Sequence, residues 1–351
     1  MTVAPQQTGT FSGPVPISLL LPCLNEADHI ENCIQSLMNG EYPAEDIEVL
    51  VLDGMSTDGT RDILQKLAQT WPQIKVIDNP GASKPKALNM GIEMAQHDLV
   101  MRIDCHASYP PNYIYELVRC LHVFEADNVG GVRHNRTRGQ THVAKALAAV
   151  LTHRFGVGDA KHYTGTTDPI QSDIIFLFCV RKSLFDEVGR FDERLLRGQD
   201  REFNLRMSRL GKRMILCPSV HSTYFTRDEL SSFGKWAYVA GKTPFDISRI
   251  LGFPLVSWRN LVPPAFVTTI VGSLVLGLFA APFFWVALLI LGLYFAIAIS
   301  IAIRQPSSAV PGLARVLLPF GFLLWHVSYG IGALAGGAKW IAAHFKKGKT
   351  E

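Results

Sequence analysis

The stretch VMRIDCHASYPP, Val100 to Pro111, runs from an apolar, strand-like segment into an acid, a cysteine and a histidine, and stops at a proline pair. Taken alone, Asp104-Cys105-His106 fits either an ordinary polar turn or a metal site. Side chains alternate along an extended segment, so Asp104 and His106 share one side and Cys105 faces away. The sequence on either side decides between the two.

Upstream, the same design repeats. VPISLLLPCLNE carries a strand over Ile17–Leu21, followed by a helix with Ile30, Ile34 and Leu37 inward and Asn25 as its expected cap. DIEVLVLDG gives a second strand, Ile47–Leu52, and a helix follows with Asp58 or Thr60 as its cap. IKVIDN is a third strand, KPKALNMGIEMA a helix and DLVMRID a fourth strand. This alternation predicts an α/β domain with a mainly parallel sheet flanked by helices. Ligands of such sheets bind beyond the carboxyl ends of the strands. PCLNE, LDGMSTDG and IDCHA all sit at those ends, so they point to one crevice. Downstream, the block from Asp173 to Phe225 reads strand, helix, loop, helix, strand; its second helix, Asp200–Leu210, has Phe203, Leu205, Met207 and Leu210 as a partial inner face.

The 351 residues suit about two domains. Apolar residues make up 48% and charged ones 18%, and the net charge of +4 gives no case for a nucleic-acid partner. The apolar surplus is concentrated. No charged residue occurs from Leu261 to Ile303, nor from Val316 to Ala338, and about 20 apolar residues cross a bilayer. Pro282 divides the first run, so about three membrane helices are expected: Pro264–Ala280, Phe283–Ile303 and Val316–Ala338. Residues 1–14 are polar, without the basic and apolar regions of a signal peptide, and are expected to be disordered. The reading is therefore a globular domain over 15–230, cytoplasmic and tethered to the inner membrane by a multi-pass segment over 261–340. A basic tail follows over 341–351. The segment 231–260 mixes Trp236, Tyr238 and Phe245 with Lys235, Lys242 and Arg249, which suits an interfacial helix or one packed on the domain surface. Three crossings would place the tail outside, whereas Lys339, Lys346, Lys347 and Lys349 favour the inside. The six cysteines form no C-x-x-C pair, which fits reduced thiols.

In this order and spacing, LLPCLNEADHIENCIQSL, VLDGMSTDGT, SKPKALNMG, RIDCHA, VGRFDERLLRGQDREFNLRM and GKRMILCPSVHSTY resemble glycosyltransferase family 2, with the GT-A nucleotide-diphospho-sugar fold, across about residues 15–225. DGMSTDGT, the histidine of DCH and the apolar C-terminal runs are most similar to bacterial succinoglycan-type exopolysaccharide glucosyltransferases. The resemblance implies an inverting, metal-dependent transfer of a hexose, glucose in the first instance, from a UDP-sugar donor. The implied acceptor is a saccharide linked to polyprenyl diphosphate, and membrane lipid is a further partner. Two other readings stand beside it: a transferase making a glycolipid or a polyprenyl-phosphate sugar, and a noncatalytic membrane scaffold on the same fold.

The resemblance also implies roles. Asp104-Cys105-His106 occupies the family's D-x-D position, with Asp104 toward the ribose or metal and His106 as the metal ligand; an imidazole among hard oxygen donors shifts preference from Mg²⁺ toward Mn²⁺. His221 is a third candidate ligand or a diphosphate contact. Pro22, Asn25 and Glu26 match the first donor loop. Asp53 matches the acid that meets the uracil or ribose, and the family's second acid is Gly54 here. Lys84 and Lys86 are candidate phosphate contacts. An inverting transfer needs a base for the acceptor hydroxyl, and Asp200 of RGQDREF matches it. Gln199 replaces the usual Glu, which removes a like charge beside Asp200. Asp173, Arg197, Gln199 and Arg201 are candidates for the acceptor side. GKWAYVAGKT stands where processive synthases carry Q-x-x-R-W, so one sugar is expected per encounter.

Overall fold

The structure is a computed structural model and describes residues 6–137, 139–253 and 255–347, with side chains through 343. The first five residues and the Lys349 end of the tail lie outside the described residues. The chain divides into two compact units: residues 6–134 with 161–224, and 135–160 with 225–347.

The first unit is built on ISLLLPC, which forms β1 (Ile17–Cys23), and IEVLVLD, which forms β2 (Ile47–Asp53). Ile17, Leu19, Leu21, Val49 and Val51 face one apolar layer, together with Ile30, Ile34 and Leu37 of the Ile30–Met38 helix and Leu117 and Leu121 of the Tyr113–Val123 helix. Leu20, Leu50, Leu52 and Val100 face the opposite layer, with Leu88 and Ile92 of the Lys84–Met94 helix and Phe203 and Met207 of the Gln199–Arg209 helix. A strand buried on both faces must be apolar at every position, which is why these read as continuous runs.

β3 (Ile74–Asp78), β2, β1 and β4 (Leu99–Arg102) are adjacent and parallel. The sheet continues through antiparallel pairings: β8 (Cys179–Arg181) on β4, β6 (Asn128–Arg136) on β8, and both β5 (Ala107–Ser108) and β7 (Ile170–Gln171) on β9 (Met214–Phe225). The order β3-β2-β1-β4 places strands that follow β1 on both of its sides. That is a topological switch point, where α/β sheets open a ligand crevice. The fold is the expected α/β, parallel in its first half and antiparallel in its second.

Three local expectations change. Asn25 caps no helix. It sits at φ +53°, and the first helix begins at Ile30 with His29 before it. Leu210 is 55% exposed, because the last inward turn of its helix ends at Met207. Most of DIIFLF is irregular, and the strand of that block starts at Cys179.

The second unit is helical: Leu230–Leu251, Trp258–Gly277, Pro282–Arg304 and Leu313–Lys347, with the His142–Val150 helix of the 135–160 segment. Three of these are long and apolar enough to cross a membrane: Trp258–Gly277, Pro282–Arg304 and Leu313–Ala343. Pro282 opens the second of them at a first-turn position, where its missing N–H is not needed. Leu147, Val150, Phe233, Leu318 and Phe322 form the core of this unit.

Candidate active site

β4 ends at Arg102, and Arg102 and Asp104 face one side of the extended chain. Both are all but fully buried. The Arg102 guanidinium donates from Nη2 to the Asp104 carboxylate at 3.0 and 3.3 Å, and from Nη1 to Asp200 Oδ1. Lys84 Nζ reaches Asp104 Oδ1 at 2.8 Å. Burial opposes the charge of Asp104, yet Arg102, Lys84 and His106 overcome it and hold the carboxyl well below the usual range. Burial likewise opposes the Arg102 charge, and the Asp104 and Asp200 carboxylates more than offset it.

Tyr109 fixes the turn after the strand. Its hydroxyl accepts from Asp104 N and donates to Asp104 O, both at 3.0 Å. Cys105 turns into the core, 1% exposed, its thiol donating to Pro22 O at 3.3 Å. His106 stands between Glu26 Oε1, 3.2 Å from its Nδ1, and the Tyr224 hydroxyl at its Nε2. The Tyr224 hydroxyl also donates to Asp104 Oδ2 at 3.4 Å.

The two preceding loops are tied together. Asn25 N donates to Ser56 Oγ at 2.8 Å, and Asn25 Oδ1 accepts from Thr57 N at 2.9 Å. Asp53 is fully buried at the end of β2; it accepts from Ser56 N and Oγ and lies 3.5 Å from Arg61 Nε. A Cβ at Gly54 would lie 3.2 Å from Leu24 and 3.3 Å from Ala82, so this close approach leaves little room for a second acid.

Gly198, at φ +76°, precedes the Gln199–Arg209 helix, and Gln199 and Asp200 occupy its first turn. Gln199 is buried. Only Oδ1 of Asp200 is engaged; its Oδ2 has no hydrogen-bond partner among the described residues, and the side chain is 24% exposed. Glu202, the other acid in the first turn of this helix, is paired to Arg206 at 2.6 Å.

The structure therefore brings Glu26, Lys84, Asp104, His106 and Asp200 into one linked network, with Pro22, Asn25 and Asp53 in the loops around it. It does not gather Asp104, His106 and His221 as a ligand set. His221 precedes Tyr224 by three positions on β9, hence faces the other side of the strand, and stacks on His134 at 4.5 Å. Among the described residues no group of three or more His, Cys, Asp or Glu side chains is placed to hold a metal. The Tyr224 hydroxyl bridges His106 Nε2 and Asp104 Oδ2, so a divalent cation of the Mg²⁺ or Mn²⁺ type held by these two side chains would take the place of that hydroxyl. Such ions take one or two protein ligands and complete their shell with substrate phosphates and water. Lys86 and Asp173 are exposed and have no ion-pair partner among the described residues; Arg197 is likewise exposed, and Arg201 is half-buried beside Asp200.

Two residues of the network escaped the sequence reading. Arg102 had one signal, a charge inside an apolar run, on the same face as Asp104. Tyr224 had none beyond its place at the end of the strand that carries His221.

Residues 18–189 match the family model "Glycosyl transferase family 2". The chain is 33% identical over 214 residues to the succinoglycan biosynthesis protein ExoA of Rhizobium meliloti, covering 60% of this chain and 64% of that one. It is 24% identical over 320 residues, 90% of this chain and 95% of the other, to a dolichyl N-acetyl-α-D-glucosaminyl phosphate 3-β-D-2,3-diacetamido-2,3-dideoxy-β-D-glucuronosyltransferase of Methanococcus voltae. In fold it is similar to a mannosyltransferase from Pyrobaculum calidifontis, solved in complex with GDP-Man and Mn²⁺, with a TM-score of 0.58 and 20% identity over 97% of this chain and 89% of that one. Residues 18–189 thus carry a family 2 glycosyltransferase domain, and the fold is GT-A-like.

Proposed function

We propose that the protein transfers a hexose, glucose in the first instance, from a UDP-sugar to a saccharide carried on polyprenyl diphosphate, with inversion at the anomeric carbon, in exopolysaccharide assembly. The observation that carries this is the buried Arg102 fork, with the donor-side acid Asp104 on one nitrogen and the carboxylate Asp200 on the other. It joins Asp104, read as the donor-side acid, and Asp200, read as the base, through one guanidinium at the end of β4. The Rhizobium relative, a succinoglycan biosynthesis protein, supports the exopolysaccharide context.

In this reading Asp53 and the Pro22–Glu26 loop receive the nucleoside, and Lys84 and Lys86 meet the diphosphate. A divalent cation, bound by Asp104 and His106, would supply positive charge against the departing diphosphate. Asp200 Oδ2 takes the proton of the acceptor hydroxyl as its oxygen bonds to C1. The C1–oxygen bond to the diphosphate breaks, and its electron pair leaves with UDP. Asp173, Arg197, Gln199 and Arg201 border the acceptor side. The three apolar helices hold the chain in the inner membrane, multi-pass, with the family 2 domain on the cytoplasmic side. They leave large side chains such as Trp258 and Trp285 more than two-thirds exposed, a surface that suits lipid.

A donor panel tests this: nucleotide release from UDP- and GDP-sugars by the purified full-length protein, with membrane lipid extract or polyprenyl phosphate as acceptor. The proposal expects release from a UDP-hexose only with saccharide-bearing lipid. Equal transfer to bare polyprenyl phosphate would replace the acceptor, and no release from any donor would replace the enzyme with a scaffold.

A further inference from the structure

Arg102 is the largest fully buried side chain among the described residues, and the reaction just described gives it no role. Its guanidinium does not lie two-pronged on one carboxylate. It splits, Nη2 to Asp104 and Nη1 to Asp200, residues 98 positions apart in the Arg102–Asp200 pair. The split leaves Nε buried without a hydrogen-bond partner. A fork–fork pair on one acid is the stronger arrangement, so the observed geometry forgoes a bond in order to join two acids. Phe176 covers the guanidinium at 5.7 Å, and the Arg102 amide donates to Phe178 O at 2.9 Å, which fixes the start of the side chain.

We infer that Arg102 is a positioning residue for glycosyl transfer: it fixes one oxygen of Asp200, leaves the other to take the acceptor's proton, and locks the base to the donor-side acid Asp104. The inference rests on the reading of Asp200 as the base. Two consequences follow from the geometry. Holding Oδ1 restricts the rotation of the Asp200 side chain, so Oδ2 meets the hydroxyl in a narrow range of positions; misplacement of about 1 Å costs on the order of a hundredfold in rate. The same guanidinium also ties Asp200 to Asp104, so the base and the donor-side acid keep one spacing. No atom of Arg102 gains or loses a proton in the step. The proton moves from the acceptor oxygen to Asp200 and then to water.

A lysine at 102 carries the charge but not the fork, and cannot serve two acids in this geometry. The test is a double-mutant cycle on the full-length protein, with Arg102→Lys, Asp200→Asn and the double variant. It measures kcat and donor KM for transfer, UDP binding by calorimetry, and the melting temperature. Arg102→Lys is expected to lower kcat by at least tenfold, with donor KM and UDP affinity changing several-fold less. In the Asp200→Asn background the added Arg102→Lys should cost less than about threefold more, because no base remains to be positioned. A role only in folding or donor binding predicts losses that multiply, and that result overturns the inference. So does wild-type turnover in Arg102→Lys. Wild-type turnover in Asp200→Asn instead removes the base reading on which the inference stands. Should Arg102→Lys not fold, Arg102→Gln, which keeps planar N–H donors without charge, enters the same cycle under the same criteria.

Discussion

At the scale of single residues, the site is a chain of charges removed from water. Asp104→Asn leaves the Arg102 charge buried with Asp200 as its remaining acid. Breaking a buried pair on one side costs about 3–5 kcal/mol, so thermal unfolding of this variant should come well below that of the wild type. The same carboxylate sets a pH limit. Its folded pKa lies well below that of the unfolded chain, so its contribution is complete above the unfolded range near ~3.9 and fades as pH falls toward the folded value. Unfolding followed between pH 6 and pH 3 should show no loss from this group in the upper part of that range and loss only at the acid end. His106→Ala should weaken Mn²⁺-dependent UDP binding about tenfold or more in calorimetry, while binding without metal stays unchanged. Unchanged metal dependence would take His106 out of the donor site. Asp104, His106 and Asp200 were legible because acids and imidazoles at strand ends are chemically conspicuous. Arg102 was not, since a lone arginine in an apolar run says nothing of its partner until the chain brings residue 200 beside it.

At the scale of elements, periodicity carried the strands and the apolar helices, and it failed where a side chain bonds across loops instead of along the chain. Asn25 looked like a cap, but its oxygen is taken by Thr57 N, 32 residues away. Close helix packing was also silent in the sequence. Within the second unit, Leu230–Leu251 and Leu313–Lys347 approach through glycines. A Cβ at Gly332 would lie 1.9 Å from Tyr238 O, and one at Gly241 2.0 Å from Tyr329 O. A glycine, having no side chain, lets one helix backbone come this close to another. Gly332→Leu must push the helices apart, and overpacking costs about 1–3 kcal/mol. A lower melting temperature in detergent, with a tendency to aggregate, is the expected outcome; a variant as stable as wild type would show that the close approach does not matter.

At the scale of the molecule, two units carry two tasks. One holds the network of Glu26, Lys84, Arg102, Asp104, His106 and Asp200, with all of the family 2 match except residues 135–160. The other carries three helices long and apolar enough to cross a membrane, and the chain should remain with membranes after alkaline carbonate extraction. The division itself was only half legible. The uncharged runs announced the second unit, but nothing in residues 135–160 signalled that they join it, since the pairing is set by tertiary packing around Leu147 and Val150. The account stands on Asp200 as the base of glycosyl transfer, and one comparison tests it most directly: turnover and UDP binding of Asp200→Asn beside the wild-type protein, with UDP-hexose and saccharide-bearing lipid. The account predicts that transfer falls by a factor on the order of 10²–10⁴ while UDP binds as before. Transfer at the wild-type rate would contradict it.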